Sequence, residues 1–237
     1  MTDPQKRSRA PKLSSQEREQ MILRNAIDYF AKEGFGAGTR DLANHLGITQ
    51  SLLYRYFPSK QSLIERVYEE VTLSRWNPLW EDLIRDRSKP LADRLHEYYL
   101  DYAKLVLRNE WVRILIFAGI ESSGINNRLF GLLRNRIFIP VVRECYAEFA
   151  GEKYANVPVE EIEMELELVW ALHASIFYIG MRKWIYGTTM PKNVDATIDA
   201  LVVSFLAGMK QHIGSKVKPP RERRSATLED AHEIRNV

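Results

Sequence analysis

The residues with the most evident chemical capacity lie between positions 49 and 60, in the stretch TQSLLYRYFPSK. The side-chain amide of Gln50 can pair bidentately with adenine, and the Arg55 guanidinium is long enough to reach a guanine or a phosphate. Side chains suited to phosphate contacts follow at Tyr54, Tyr56 and Lys60. Donors and cations of this kind indicate a surface that binds nucleic acid.

Two short helices must position these side chains. Thr39 is a good N-cap for the first helix, and Thr49 is a good N-cap for the second. Gly47 lies between them, where the chain must adopt a left-handed conformation. The apolar residues that each helix buries recur at helical spacing, at Leu42, Ala43 and Leu46 and then at Leu53 and Phe57. This is the helix-turn-helix pattern that reads the DNA major groove.

The flanking residues make the pattern more specific. In order along the chain they are Ile22, Leu23, Ala26, Phe30, Gly34, Thr39, Leu42, Ala43, Gly47, Ile48, Thr49, Leu53, Tyr54, Phe57, Lys60 and Leu63. This order resembles the TetR (tetracycline-repressor) family of bacterial transcription regulators, over roughly residues 17 to 75. Ser51 is a departure, since many members carry glycine or proline at that position.

The resemblance implies an all-α protein. A three-helix DNA-binding domain would be joined by a fourth helix to a larger helical domain for ligand binding and dimerisation. The family positions that tend to touch DNA correspond to Thr39, Arg40, Gln50, Ser51, Tyr54, Tyr56 and Lys60. The residues alone add Thr49 and Arg55 to this set. His45 is expected to be a surface residue.

Charge and composition agree with DNA contact at one end of the chain. Residues 1–75 hold 12 Lys/Arg against 9 Asp/Glu, whereas residues 76–214 hold 16 against 18. The single Cys145 excludes an internal disulfide and fits a reducing compartment. No secretory signal is evident, and the most apolar stretch, 168–181, is too short to span a bilayer. A cytoplasmic protein without membrane contact is expected.

Helical periodicity divides the chain into four parts. A disordered basic arm is expected at 1–14, the DNA-binding domain at 15–75, the effector-binding and dimerisation domain at 76–214, and a disordered tail at 215–237. Ser15 is the expected cap of the first helix, and the fourth helix is expected from Ser59 to about Arg75. Further helices are expected at 90–106, 110–120, 125–149 with a bend at Pro140, 159–186 and 194–213.

Aromatic residues of the second domain are candidates for an effector pocket. The candidates are Trp76, Tyr99, Tyr102, Trp111, Phe117, Trp170, His173 and Phe177. His173 and Ser175 form a polar pair within a nearly all-apolar helix, and such a pair could orient a small apolar or aromatic ligand. For any single residue the alternative is an ordinary place in the core.

The last two helices are the expected homodimer interface. The helix around Trp170 carries more apolar surface than one domain can cover, and the final helix adds a second stripe. The interface candidates are Trp170, Leu201, Val202, Phe205 and Leu206.

No constellation typical of an enzyme is evident. The histidines are isolated, no glycine-rich phosphate loop occurs, and Cys145 has no His nearby in the sequence. No metal and no cofactor are expected. The predicted function is a homodimeric DNA-binding transcriptional regulator, a repressor released from its operator by a small molecule. A ligand-independent, architectural DNA-binding protein is the alternative.

Overall fold

The protein is described from a computed structural model that covers residues 14–121 and 124–217. Most of the predicted arm and tail, residues 1–13 and 218–237, lie outside these described residues. Within them every regular element is a helix, as predicted.

Eleven α-helices follow one another along the described chain. They are α1 (Ser15–Glu33), α2 (Thr39–His45), α3 (Gln50–Tyr56), α4 (Lys60–Val71), α5 (Leu79–Arg85), α6 (Leu91–Val106), α7 (Asn109–Glu121), α8 (Asn127–Leu133), α9 (Ile139–Ala150), α10 (Glu163–Trp184) and α11 (Val194–Val217). Short 3-10 turns occupy Leu73–Arg75, Glu152–Tyr154 and Val159–Glu161.

The first three helices pack around a small apolar core. Ile22, Ala26 and Phe30 of α1 are fully buried, together with Leu42 of α2 and Leu53 of α3. The spacing of these residues is the one that the sequence predicted. Their burial fixes the two short helices against α1 and leaves the opposite face of α3 exposed.

Two helix starts differ from the prediction. Ser14, not Ser15, caps α1, and Glu17 is its partner in a reciprocal capping box. Gly38 occupies the N-cap position of α2, so Thr39 is the first helical residue and its hydroxyl makes no cap bond. Thr49 does cap α3, through a 3.2 Å bond from the Leu52 amide.

The fourth helix is shorter than predicted, and a further helix follows it. α4 ends at Val71, and a 3-10 turn leads to Trp76. Pro78 then occupies the N-cap position of α5, a helix that the periodicity analysis did not predict. Trp80 and Ile84 of α5 are buried four residues apart, the spacing of one helix face.

A π-helical turn, Arg134–Phe138, connects α8 and α9. The amide of Ile139 bonds to the carbonyl of Arg134, five residues back, and Pro140 follows in the first turn of α9. Pro140 was expected to bend one continuous helix, because it lacks an amide hydrogen. Instead, the hydrogen bonds of the preceding turn adopt the wider i→i+5 spacing of a π-helix. Pro140 then lies in the first turn of α9, where no amide donor is required.

A buried ionic network holds α5, α6 and α9 together. Arg94 is almost fully buried and donates to Glu144 at 2.9 Å and to the carbonyl of Ile84. Arg87 adds a bidentate pair to Glu144, at 2.8 and 2.9 Å. Burial raises the pKa of Glu144, but the hydrogen bonds from both arginines outweigh it and hold that pKa below its usual value.

Candidate functional site

The outer face of α3 is polar and solvent-exposed. Gln50, Ser51, Tyr54 and Arg55 lie on it, while Leu53 faces inward and is buried. Burial of one stripe therefore fixes which side chains of α3 point into solvent. This surface is narrow enough to enter a major groove about 12 Å wide.

A hydrogen-bond network links this face to the start of α2. The amide nitrogen of Gln50 donates to the Thr39 hydroxyl at 2.9 Å, and the Thr39 and Tyr54 hydroxyls lie 3.0 Å apart. The network leaves the amide oxygen of Gln50 and its second hydrogen available to a base edge. Thr39 thus positions Gln50 instead of capping α2.

The remaining candidate residues surround this network. Thr49 and Ser51 share a hydrogen bond of 3.1 Å at the start of α3, and Arg40 is exposed on α2. Tyr56 and Lys60 are half-buried, at the end of α3 and the start of α4. All nine predicted DNA-binding residues therefore lie on α2, on α3 with its N-cap, or at the start of α4.

A cavity of about 20 Å³ lies where α4 ends and the second domain begins. Three predicted effector residues, Trp76, Tyr102 and Trp111, line it. The other lining residues are Thr72, Arg75, Trp80, Leu105, Val106, Leu129 and Leu133. The volume is close to that of one water, whereas sites for drug-sized ligands measure hundreds of Å³. In this structure the cavity therefore has no room for a drug-sized ligand.

His173 and Tyr102 form a buried polar pair behind the cavity. The Tyr102 hydroxyl lies 2.6 Å from the Nε2 atom of His173, and the Nδ1 atom has no hydrogen-bond partner within the described residues. Burial lowers the pKa of His173 to about 3, so the imidazole is neutral at neutral pH. Tyr99 is fully buried beside this pair.

Several predicted pocket residues lie elsewhere. Trp170 packs edge-to-face on Phe138, with ring centroids 4.5 Å apart, and does not line the cavity. Phe177 contacts Trp111, with ring centroids 5.9 Å apart, but does not line the cavity. Ser175 is exposed on the outside of α10, so it forms no polar pair with His173. The sequence could not place these residues relative to the cavity, because an all-apolar helix does not show which residues face which neighbour.

Phe117 also lies away from the cavity, at the junction between α7 and α1. Gly34 follows α1 with φ = 81°, and the Phe117 ring lies against it. The neighbouring Phe35 amide donates to the Glu121 carboxylate at 3.1 Å. Phe117 therefore contributes to the contact between the two domains.

Arg113 completes this contact between the domains. Its guanidinium donates to the carbonyls of Ala31 and Lys32 at the end of α1, and to that of Trp184 at the end of α10. Trp111, two residues earlier, faces the cavity. Since residues two apart project from nearly opposite sides of a helix, α7 lies directly between the cavity and α1.

An apolar groove runs along the outside of α10 and α11. It measures about 270 Å³ and is lined by Leu168, Ala171, Leu172, Ser175, Leu201, Ser204, Phe205, Gly208 and Met209. Leu201 and Phe205 are half-buried there, as expected of interface candidates, and Leu206 is half-buried on a different side of α11. Val202 is buried within its own chain, and Trp170 lies outside the groove, so neither belongs to this surface.

Sequence reasoning missed two residues of these regions, Arg75 and Arg113. Neither had a detectable signal, since an arginine in a sequence does not show which cavity or distant carbonyl it will face. No helix of the described residues is long and apolar enough to cross a membrane. The same residues contain no cluster of His, Cys, Asp and Glu that could hold a metal ion.

Comparison with known sequences identifies the N-terminal region. The profile described as bacterial regulatory proteins, tetR family, matches residues 22–67, which run from α1 into α4. No curated protein sequence matches the chain significantly.

Solved structures are similar over most of the chain. A TetR-like transcriptional regulator from Rhodococcus sp. RHA1 superposes with a TM-score of 0.62 at 16% identity, covering 83% of this chain and 100% of the other. A tetR-family regulator from Streptomyces coelicolor gives 0.56 at 16% identity, with 92% and 97% covered. NalD, the secondary repressor of the MexAB-OprM multidrug efflux pump in Pseudomonas aeruginosa, gives 0.55 at 18% identity, with 82% and 97% covered. At these low sequence identities, the similarity shows a shared fold and nothing further.

Proposed function

Because the chain belongs to the tetR family of bacterial regulatory proteins, we propose that it is a homodimeric transcriptional repressor released from its operator by a small molecule. The family accounts for transcription regulation through a DNA-binding helix-turn-helix. Repression, ligand release, dimerisation and the residues that carry them are our proposals. The observation that carries the DNA-binding part is the exposed polar face of α3, with Gln50 held in place by Thr39.

In the proposed complex the start of α3 enters the major groove. Gln50 reads a base edge, and Ser51 and Arg55 extend along the groove floor. Arg40, Thr49, Tyr54, Tyr56 and Lys60 bind phosphates on either side and fix the register. The Thr39 network supports this arrangement, because a side chain already oriented loses less conformational entropy on binding.

The outer groove of α10 and α11 supports dimerisation. A second copy of the same two helices would bury Leu201 and Phe205 in a four-helix interface. Tyr178, half of whose surface is exposed in the single chain, lies on the same helix as Leu168 and Ser175 of the groove. We call α1 to α3 of each protomer its reading head. Two reading heads are needed because operator half-sites are typically one helical turn, about 34–36 Å, apart.

Release requires a connection between the cavity and the reading heads. Thr72, which directly follows α4, lines the cavity, and Lys60 begins the same helix at the proposed DNA surface. α7 offers a second connection, since Trp111 lines the cavity while Arg113 binds the end of α1. A ligand that opened the cavity would press on both helices and change the separation of the heads.

The small volume of the cavity favours one competing function, a DNA-binding protein without an effector. The two functions are separated by selecting tight-binding duplexes from a random pool and then screening ligands on the selected complex. Enrichment of an inverted repeat supports the regulator, and absence of any enrichment contradicts it. Coupling of about 1–3 kcal/mol would make a ligand weaken operator binding roughly 5- to 150-fold. A selected complex that no ligand weakens favours the competing function.

A further inference from the structure

Arg75 is the charged residue among the ten that line the cavity. It is half-buried in the 3-10 turn between α4 and α5. Within the described residues its hydrogen bond runs from Nε to the Glu70 carbonyl, at a long 3.3 Å. The described residues supply no partner for its two terminal nitrogens, which can therefore bind a ligand group beside the cavity.

Three other polar side chains of the cavity wall have hydrogen-bond partners. The Thr72 hydroxyl donates to the Tyr68 carbonyl at 2.7 Å, and the Trp80 indole donates to Asp101 at 2.8 Å. The Tyr102 hydroxyl is paired with His173 at 2.6 Å. The Arg75 guanidinium and the indole N–H groups of Trp76 and Trp111, for which the described residues supply no acceptor, are therefore the donors that the wall offers a ligand.

The charges near the cavity favour an anion. The Asp101 carboxylate accepts a hydrogen bond from Trp80 of the cavity wall, and it is also bound by Asn77 and Lys104. His173 is neutral and so supplies no second positive charge. A cation could bind the aromatic faces but would be repelled by Arg75, whereas an anion would find an arginine with several donors in a planar fork.

α8 is the part of the wall that can yield to a ligand. It has seven residues, contributes Leu129 and Leu133 to the cavity, and continues directly into the π turn. Its exposed Arg128 lies 4.0 Å from Glu69 on α4. π turns interrupt the regular helical ladder and so provide a place where a helix can shift. Outward movement of α8 would enlarge the cavity beside α4.

We propose that the ligand of this cavity is an amphipathic anion, with an apolar or aromatic body among the tryptophans and a carboxylate, sulfonate or phosphate bound by Arg75. This inference rests on the proposed function of the cavity and adds the chemical class of its ligand. The aromatic body replaces the contacts that now close the cavity, and the anionic group remains at its entrance, where its other oxygens stay hydrated.

A matched pair of fluorescent probes tests the charge. 1-Anilinonaphthalene-8-sulfonate carries the anionic group, and N-phenyl-1-naphthylamine has the same rings without it. We expect the full-length wild type to bind the sulfonate more tightly than the neutral amine. Arg75→Gln should weaken sulfonate binding roughly tenfold or more and leave the neutral amine unchanged, because a charge-assisted hydrogen bond is lost.

Two further variants provide the controls. Arg85→Gln removes an exposed arginine from the neighbouring α5 and should change neither affinity. Leu129→Trp fills the cavity and should weaken both probes, which locates them there. Equal sulfonate affinity in Arg75→Gln and the wild type would overturn the proposal. So would unchanged binding of both probes to Leu129→Trp, or a preference for the cation tetraphenylphosphonium over the sulfonate.

The effect of the bound probe on DNA affinity is measured separately. Sulfonate binding that depends on Arg75 supports the ligand class whether or not it changes affinity for the selected duplex. If no anion bound at Arg75 changes DNA affinity, the proposed release mechanism fails while the ligand class stands. If duplex selection fails but the probes behave as expected, DNA recognition alone is contradicted.

Discussion

The guanidinium of Arg113 donates a hydrogen bond to the carbonyl oxygen of Ala31, 82 residues earlier in the chain. It also binds the Lys32 carbonyl at 3.2 Å, so one side chain closes the C-terminal end of α1. A cation at this position complements the carbonyls that a helix end leaves unpaired. Through this contact the reading head is attached to the wall of the cavity.

Removal of Arg113 should loosen this attachment. Arg113→Ala leaves the three carbonyls without their donor, so we expect stability to fall by about 1–3 kcal/mol in urea denaturation. Hydrogen exchange should become faster for amides around Phe35, since local opening becomes easier. As a control, Arg108→Ala removes an exposed ion pair with Glu110 at the start of α7. It should change stability by less than about 0.5 kcal/mol. Unchanged exchange around Phe35 in Arg113→Ala would contradict the attachment.

Substitutions of Gln50 and Lys60 should weaken DNA binding in different ways. Gln50→Ala should cost about 1–3 kcal/mol on a selected operator and relax the preference at one base pair. Lys60→Ala should weaken specific and random duplexes alike and reduce the salt slope by roughly one unit, because a phosphate contact carries no sequence information. Fluorescence anisotropy across a salt series measures both effects. Equal losses on all sequences for Gln50→Ala would remove it from base reading.

Dimerisation should depend on the outer groove. Phe205→Glu places a charge in that groove and should yield monomers in analytical ultracentrifugation that no longer bind the operator. Lys210→Glu is the matched control, because five helical residues rotate it about 140° from Phe205. If Phe205→Glu stays dimeric, the interface lies on another surface.

Acid should lower the free energy of unfolding through protonation of Glu144. Its folded pKa lies below the usual 4.5, so its contribution is complete above that pH and is lost as the pH falls through the folded pKa. Glu144→Gln leaves Arg94 buried and unpaired, so we expect a loss of about 3–5 kcal/mol near pH 7. The difference from wild type should shrink in urea denaturations below pH 4.5.

The control for this pH dependence is Glu152→Gln, which removes an exposed carboxylate bound to the same Arg87. It should cost no more than about 1 kcal/mol, because exposed ion pairs are weak. A difference between wild type and Glu144→Gln that stayed constant from pH 7 to pH 3 would show that ionisation of Glu144 is not involved.

The sequence predicted the reading head well, because α1 to α3 obey local rules. Leu42, Leu53 and Phe57 are buried as their spacing indicates, and Gly47 adopts φ = 64° as its position in the turn requires. Thr39 shows where local rules fail. Its hydroxyl has two possible uses, a cap or a bond to α3, and the choice depends on Gln50 being close in space.

The second domain was harder to predict because its packing is long-range. α10 is apolar on nearly every side, so periodicity could not show that Trp170 packs on Phe138 while His173 faces Tyr102. Arg113 binds main-chain carbonyls, which every residue has, so no sequence signal marks its partners. These contacts follow only from the arrangement of whole helices.

Placement of α3 in the major groove is the central claim, and a tethered cleavage reagent tests it directly. Ser51 is exposed on α3, and the single Cys145 is buried, which raises the pKa of its thiol and keeps it unreactive. An iron chelate attached to Ser51→Cys can therefore be placed selectively. Glu160→Cys, exposed just before α10, carries the same reagent as the control.

The account predicts that the Ser51→Cys conjugate cleaves the selected duplex at two symmetric positions in the major groove. Their centres should lie about 10–10.5 base pairs apart, or a multiple of that distance. The Glu160→Cys conjugate should bind the same duplex without cleaving it. Tight binding by the Ser51→Cys conjugate with no cleavage, or with cleavage only in the minor groove, would contradict the claim that α3 reads the operator.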